Sequence, residues 1–307
     1  MREAELAIVG AGVAGLTAAM VAAQHGVDVL VIDRLGSGGQ VMNVERINNF
    51  PGFPAGVTGV ELGPMLQEQA EAAGAVFALD MVEALAPAPD GRLVLRCADE
   101  DVVARAVLIA AGSSRRKLGV PGEERLEGRG VSHCAACDGP LFRGRAVCVV
   151  GGGDSAFGEA AVLAEHAERV FVVFREAKPH AQRTLVEALT RHPNVDLMAN
   201  TEVIAIAGDM GVAGVRLRGA HGAESELAAD GVFVYAGLTP DSGFVRDALK
   251  LDGVGRIETD DAFRTSLPGV FVAGDIRSGA AYLLATAAGD GALAALSATR
   301  YLRNTPS

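Results

Sequence analysis

Two short glycine clusters, each set between an apolar run and an alanine-rich stretch, constrain this chain more than any other feature. The first is Gly10-Ala11-Gly12-Val13-Ala14-Gly15. Leu6-Ala7-Ile8-Val9 precedes it, an uncharged alanine-rich stretch runs on to about Gln24, and Val27 to Ile32 then leads into Asp33. The pattern predicts strand, glycine turn, helix and strand, with Gly26 ending the helix. In such a unit the first glycine permits a tight turn and the second lets the backbone approach a pyrophosphate. The third lets helix and strand pack closely, and the helix N-terminus faces the phosphates. An acid at the end of the second strand, here Asp33, can accept hydrogen bonds from a ribose. The pattern recurs: Ala146–Val150, Gly151-Gly152-Gly153-Asp154-Ser155-Ala156, a helix through Glu159 to His166, then Val170–Phe174. Alanine is tolerated at the third glycine position. Two dinucleotide folds in one chain suit electron transfer between a flavin and a nicotinamide.

The expected fold class is therefore α/β, with two Rossmann-like domains of three layers (ββα). The length of 307 residues accommodates two domains. Further strands are expected at Val107–Gly112 and Val270–Gly274, the latter leading into Asp275, and an alanine-rich helix from about Tyr282 to Leu302. Val234 to Pro240 reads as a connection. The second fold is then inserted into the first: 1–114 with 241–307 form a discontinuous nucleotide-binding domain, and 115–240 the inserted one, which carries the Cys134–Cys137 pair.

A net charge of −11 argues against nucleic-acid binding, which needs a basic face. Leu6 to Ala23 is uncharged, but Glu3 and Glu5 precede it where a signal peptide would be positive, and the spaced glycines interrupt it. No membrane span is expected elsewhere, and the expected location is cytoplasmic. There, Cys134-Ala135-Ala136-Cys137 reads as redox or metal chemistry rather than a structural bridge. A disulfide can close across one turn, and a helix N-terminus stabilises a thiolate. Asp138 follows the second thiol and could carry protons. The other readings are a zinc half-site or chance spacing; a zinc site needs a second ligand pair. Cys97 and Cys148 stand alone and read as core residues, and the six histidines form no paired motif, so no metal site is expected.

Taken in order, these segments resemble the low-molecular-weight thioredoxin-reductase-like flavoproteins. The resemblance also runs through Gly38-Gly39-Gln40, Asn49-Phe50-Pro51-Gly52, Ala111-Gly112 and Gly274-Asp275. It implies an FAD domain interrupted by a smaller pyridine-nucleotide domain, in a homodimer whose domains rotate against each other. FAD would be held by Gly10, Ala11, Gly12, Ala14, Gly15, Asp33, Arg34, Gly39, Gln40, Asn49, Val82, Ala111, Gly112, Gly274, Asp275, Leu284 and Ala285. A nicotinamide nucleotide would meet Gly151, Gly153, Asp154, Ser155, Ala156, Arg175 and Glu176. Cys137 maps to the cysteine facing the flavin, Cys134 to the one attacking the partner's disulfide, and Asp138 to the acid–base residue.

Two stretches depart from the family pattern. Members that use NADPH carry H-R-R-x-x-x-R after the second strand of the nucleotide domain; here the stretch is Phe174-Arg175-Glu176-Ala177-Lys178-Pro179-His180. A carboxylate beside a 2′-phosphate is repulsive, and beside a free 2′-hydroxyl favourable. This disfavours NADPH and permits NADH, or a protein donor such as a ferredoxin. Tyr282-Leu283-Leu284-Ala285 replaces the Arg-Gln-Ala that many members place beside the flavin. The expected activity is flavin-dependent reduction of a thioredoxin-like disulfide through Cys134 and Cys137. The alternative is a dithiol oxidase that forms a disulfide in a small molecule and passes electrons to oxygen. A non-catalytic sensor need not keep Asp138, and ferredoxin–NADP reductases of this fold lack the cysteine pair.

Overall fold

The structure, a computed structural model, describes residues 1–305. It divides into two compact units: Met1–Ser114 with the chain from Thr239 onward, and Arg115–Leu238.

The first unit opens with β1 (Arg2–Val9), α1 (Val13–Gln24), β2 (Val29–Asp33), α2 (Gly59–Ala72) and β3 (Val76–Leu79). The hairpin β4 (Val82–Pro87) and β5 (Leu93–Cys97) leads into β6 (Val102–Ile109). β1 lies parallel to β2, with Val9 opposite Ile32, and parallel to β6, with Val9 opposite Ile109. Alternation along these strands sorts side chains onto two faces. Leu6, Ile8, Val31 and Leu108 join one buried cluster; Ala7, Val9, Ile32 and Ile109 join the other. Such two-sided burial explains why the strands read as continuous apolar runs. The expected strand at 107–112 starts earlier, at Val102, and stops at Ile109, ahead of Gly112, which has a positive φ of 68°.

After the short β7 (Ser113–Arg115), the second unit holds β8 (Val131–Ser132), α3 (Ala135–Asp138), β9 (Ala146–Val150) and α4 (Asp154–Ala164). β10 (Arg169–Val173), α5 (Arg183–Leu189) and β11 (Val195–Met198) follow. An antiparallel layer of β12 (Thr201–Ala207), β13 (Gly214–Gly219) and β14 (Glu224–Ala228) precedes β15 (Gly231–Val234). The parallel sheet has the order β11-β10-β9-β15-β8, with Val150 opposite Val173. The connecting segment β16 (Leu238–Pro240) pairs with β7.

The chain then completes the first unit with β17 (Val270–Val272) and α6 (Leu284–Asn304). β17 pairs with β6 in parallel, Val272 opposite Ile109. α6 packs Ala294, Ala295 and Ala298 into the cluster that holds Ala14, Ala18, Ala19 and Ala22 of α1. The approach is close enough that a Cβ on Gly291 would fall 2.1 Å from the Ala14 carbonyl oxygen. The helix begins two residues later than expected. Tyr282 takes a positive φ of 55° and Leu283 is extended, so neither can be a helical residue. Among the described residues no helix is long and apolar enough to cross a membrane.

Candidate active site: a cysteine pair and two glycine turns

Cys134 and Cys137 are joined as a disulfide, which excludes the zinc half-site for this form of the protein. Cys134 is the N-cap of α3, and its Sγ accepts a hydrogen bond from the Cys137 N–H at 3.2 Å. Cys134 is half-buried and Cys137 exposed. The Asp138 carboxylate accepts a 2.5 Å hydrogen bond from Ser132 Oγ, and the same hydroxyl accepts the Cys134 N–H at 3.1 Å. Ser132 thus links the acid to the backbone of the first cysteine.

Sequence reasoning missed a second support. Glu159 lies on α4 beside the buried Ala160, with buried Ala156 and Phe157 shortly before it. Its carboxylate accepts the Ala135 N–H at 2.8 Å and the Tyr235 hydroxyl at 3.1 Å. Burial, then the Glu159 charge, pushes the Tyr235 phenol up, so it stays a hydroxyl donor. An acid among small apolar residues on a helix face was the signal available for Glu159. The other two thiols are unlike the pair. Burial pushes Cys97 up to about 11 and Cys148 up to about 12, so both stay protonated near neutral pH.

In the first glycine turn, two glycines are required by the protein itself. Gly10 has φ of 106°, and a Cβ there would lie 2.4 Å from the Ala110 carbonyl oxygen. A Cβ on Gly15 would lie 1.9 Å from the Gly10 carbonyl oxygen. Gly12 differs: a Cβ there meets nothing within 4 Å, and Gly12 is the N-cap of α1. No side chain caps that helix, and its first turn carries no acid. An open glycine at an uncapped helix N-terminus fits an anionic pyrophosphate. The Asp33 carboxylate is fixed against the turn by the N–H groups of Ala11 at 2.7 Å and Leu35 at 2.8 Å. The Ala11 carbonyl accepts the Gly38 N–H, and Gly39 passes within contact of Gly12.

Two other expected FAD residues, Ala111 and Gly274, lie beside the first turn and α1. Ala111 adjoins Gly10, Gly274 adjoins Ala14, and Gln40 Nε2 donates to the Ser113 carbonyl at 2.9 Å. Leu284 packs against the cluster of Val13 and Val41, and Val82 lines the other buried cluster. Asp275 is largely buried, and burial, then the nearby Asp290 carboxylate, pushes it up to about 6. Arg34, Asn49 and Ala285 are exposed. The residues present fit FAD in this unit.

The second turn is built alike. Gly151 has φ of 145°, and a Cβ there would meet the Tyr235 carbonyl oxygen at 2.3 Å. Ala156 is buried on α4, where its Cβ lies 3.1 Å from that position. Gly153 is the N-cap of α4. The difference lies beside the turn. The Gly152 carbonyl accepts the N–H groups of His180 and Ala181. Asp154, exposed together with Ser155 and Arg175, binds the Gln182 N–H and side-chain amide.

A family model described as pyridine nucleotide-disulphide oxidoreductase matches residues 4–292. The chain is 38% identical to a thioredoxin reductase of Treponema pallidum, over 97% of each chain. It is 39% identical to one from Bacillus subtilis, over 97% of this chain and 94% of that protein. Of solved structures, Lactococcus lactis thioredoxin reductase superposes with a TM-score of 0.95 at 34% identity, covering 98% of this chain and all of the other. The chain belongs to the pyridine nucleotide-disulphide oxidoreductase family and is, within it, an FAD-dependent disulfide oxidoreductase of thioredoxin-reductase type.

Proposed function

We propose that this protein reduces the disulfide of a thioredoxin-like partner, with the first unit holding FAD and the second carrying the redox pair and a nicotinamide site. The observation that carries the reading is the Cys134–Cys137 disulfide at the start of α3, with Asp138 hydrogen-bonded beside it. FAD would be held by the Gly10–Gly15 turn, Asp33, Gln40, Ala111, Gly112 and Gly274-Asp275, with Arg34, Gly39, Asn49, Val82, Leu284 and Ala285 around them. Bound flavin supplies the electron pair that opens the Cys134–Cys137 bond.

The remaining chemistry belongs to the chain. In the reduced pair the Cys134 thiolate is stabilised by the Cys137 N–H. It attacks one sulfur of the partner's disulfide, that bond breaks, and the other partner sulfur leaves as a thiolate; the Asp138 carboxylate takes the Cys137 proton and passes it to that sulfur. Cys137 then attacks the Cys134 sulfur, the partner's second thiol leaves, and the pair is a disulfide again. Two thiols are oxidised and one disulfide is reduced. The resemblance supports a homodimer and a cytoplasmic location as parts of the same reading.

The test separates the two cysteines. Cys134→Ser should keep the flavin spectrum and lose reduction of a thioredoxin disulfide. Cys137→Ser should trap a mixed disulfide with that thioredoxin through Cys134, visible by mass spectrometry. Trapping by Cys134→Ser instead would reverse the assigned roles. Dithiol-driven oxygen consumption with no thioredoxin reduction would favour the oxidase and overturn the proposal.

A further inference from the structure

The two glycine turns can be compared residue by residue through their strand registers. Val9 faces Ile32 in the first unit, and Val150 faces Val173 in the second. The residue after Ile32 is Asp33, whose carboxylate binds the backbone of Ala11, the middle residue of its turn. The residue after Val173 is Phe174, buried and unable to accept a hydrogen bond through its side chain. By register, then, the second unit lacks the ribose-binding acid. A carboxylate from further along the chain nevertheless lies beside the second turn. A Cβ on Gly152, the middle residue of the second turn, would lie 3.4 Å from Glu176 Oε2.

The backbone that delivers Glu176 is held at several points. The Asn200 N–H donates to the Glu176 carbonyl at 3.1 Å, and Thr201 N–H to that of Phe174 at 3.0 Å. Further on, His180 and Ala181 both donate to the Gly152 carbonyl, at 2.9 and 3.1 Å, and Gln182 is tied to Asp154. The imidazole of His180 supplies all three of the atoms nearest a Cβ on Gly153, with Nε2 at 3.1 Å. Residues 174–182 are thus fixed across the turn, and the anionic group nearest its middle residue is Glu176.

We infer that Glu176 takes the place of Asp33 in the second unit and makes its turn selective for a dinucleotide with a free adenosine ribose, NADH, over NADPH. A carboxylate there accepts the ribose 2′-hydroxyl and repels a 2′-phosphate. Arg175 and Lys178 flank Glu176 in sequence, but neither contributes one of the nearest atoms over the turn. Glu176 is a specificity-determining residue, and His180 fills the space beside it. The inference rests on the disulfide-reductase reading only for what the bound nucleotide would do; the discrimination itself is a property of the turn.

Calorimetry on the oxidised flavoprotein, titrated with NAD⁺ and with NADP⁺, tests it without turnover. Wild type should bind NAD⁺ more tightly, by roughly tenfold or more, the scale that one charge-assisted hydrogen bond supplies. Glu176→Gln should lose most of that preference, and Glu176→Arg should reverse it. Equal or tighter binding of NADP⁺ by wild type, no saturable binding of either, or an unchanged preference in Glu176→Gln would each overturn the inference. Reduction of a thioredoxin disulfide after chemical reduction of the flavin tests the activity separately, with no nucleotide present.

Discussion

Asp275 sits in an unfavourable place for a charge. It is largely buried and lies near Asp290, which is itself committed to Arg277 through contacts of 2.6 and 2.9 Å. Its pKa of about 6, raised by burial and then by Asp290, means that the folded apoprotein keeps this carboxyl neutral to higher pH than the unfolded chain does. A raised folded pKa contributes stability that is complete below the ordinary carboxylate value and is lost as pH rises through the folded value. The apoprotein should therefore lose about 2 kcal/mol from this group between pH ~4 and ~6, and about 3 kcal/mol in all once pH is well above 6, at ~1.36 kcal/mol per unit. Denaturant unfolding of flavin-free wild type and Asp275→Asn across that range checks it. The gap between the two should move in favour of the variant as pH rises; a constant gap would contradict the prediction.

At the scale of an element, the first glycine turn separates folding from binding. Gly15→Ala puts a Cβ 1.9 Å from the Gly10 carbonyl oxygen, a backbone atom that cannot yield without moving β1 or α1. It should destabilise the protein by several kcal/mol, on the order of an overpacked core. Gly12→Ala meets nothing within 4 Å and should fold with near-normal stability yet retain little flavin. Flavin absorbance per protein, with thermal unfolding, distinguishes them; full flavin content in Gly12→Ala would remove the turn from the binding site. Both βαβ turns were legible because strand, glycine and helix residues are contiguous in sequence. What was not legible comes from elsewhere in the chain. Glu159 acts on Ala135 from 24 residues away, and Tyr235 from 100. The position of Glu176 over Gly152 depends on Asn200 and on the His180 backbone. Tyr282 delayed the last helix through a positive φ that few non-glycine residues adopt.

Across the whole molecule, the first unit is assembled from both ends of the chain. β6 accepts β17, and α1 accepts α6, across the entire length of the second unit. This has a consequence for synthesis. When the ribosome has made β1 through β6, the sheet still lacks β17 and α1 lacks its alanine-lined partner, so apolar surface stays uncovered. The second unit, whose strands β8 to β15 lie between, can complete its own sheet first. A chain ended at Leu267, before β17, should yield a protease-resistant core from about Arg115 to Leu238 and hold no flavin; stoichiometric flavin in that truncation would refute this order. On this order, the nascent β1 to β6 segment carries exposed apolar surface until β17 and α6 have been made, which is the interval in which it is open to aggregation.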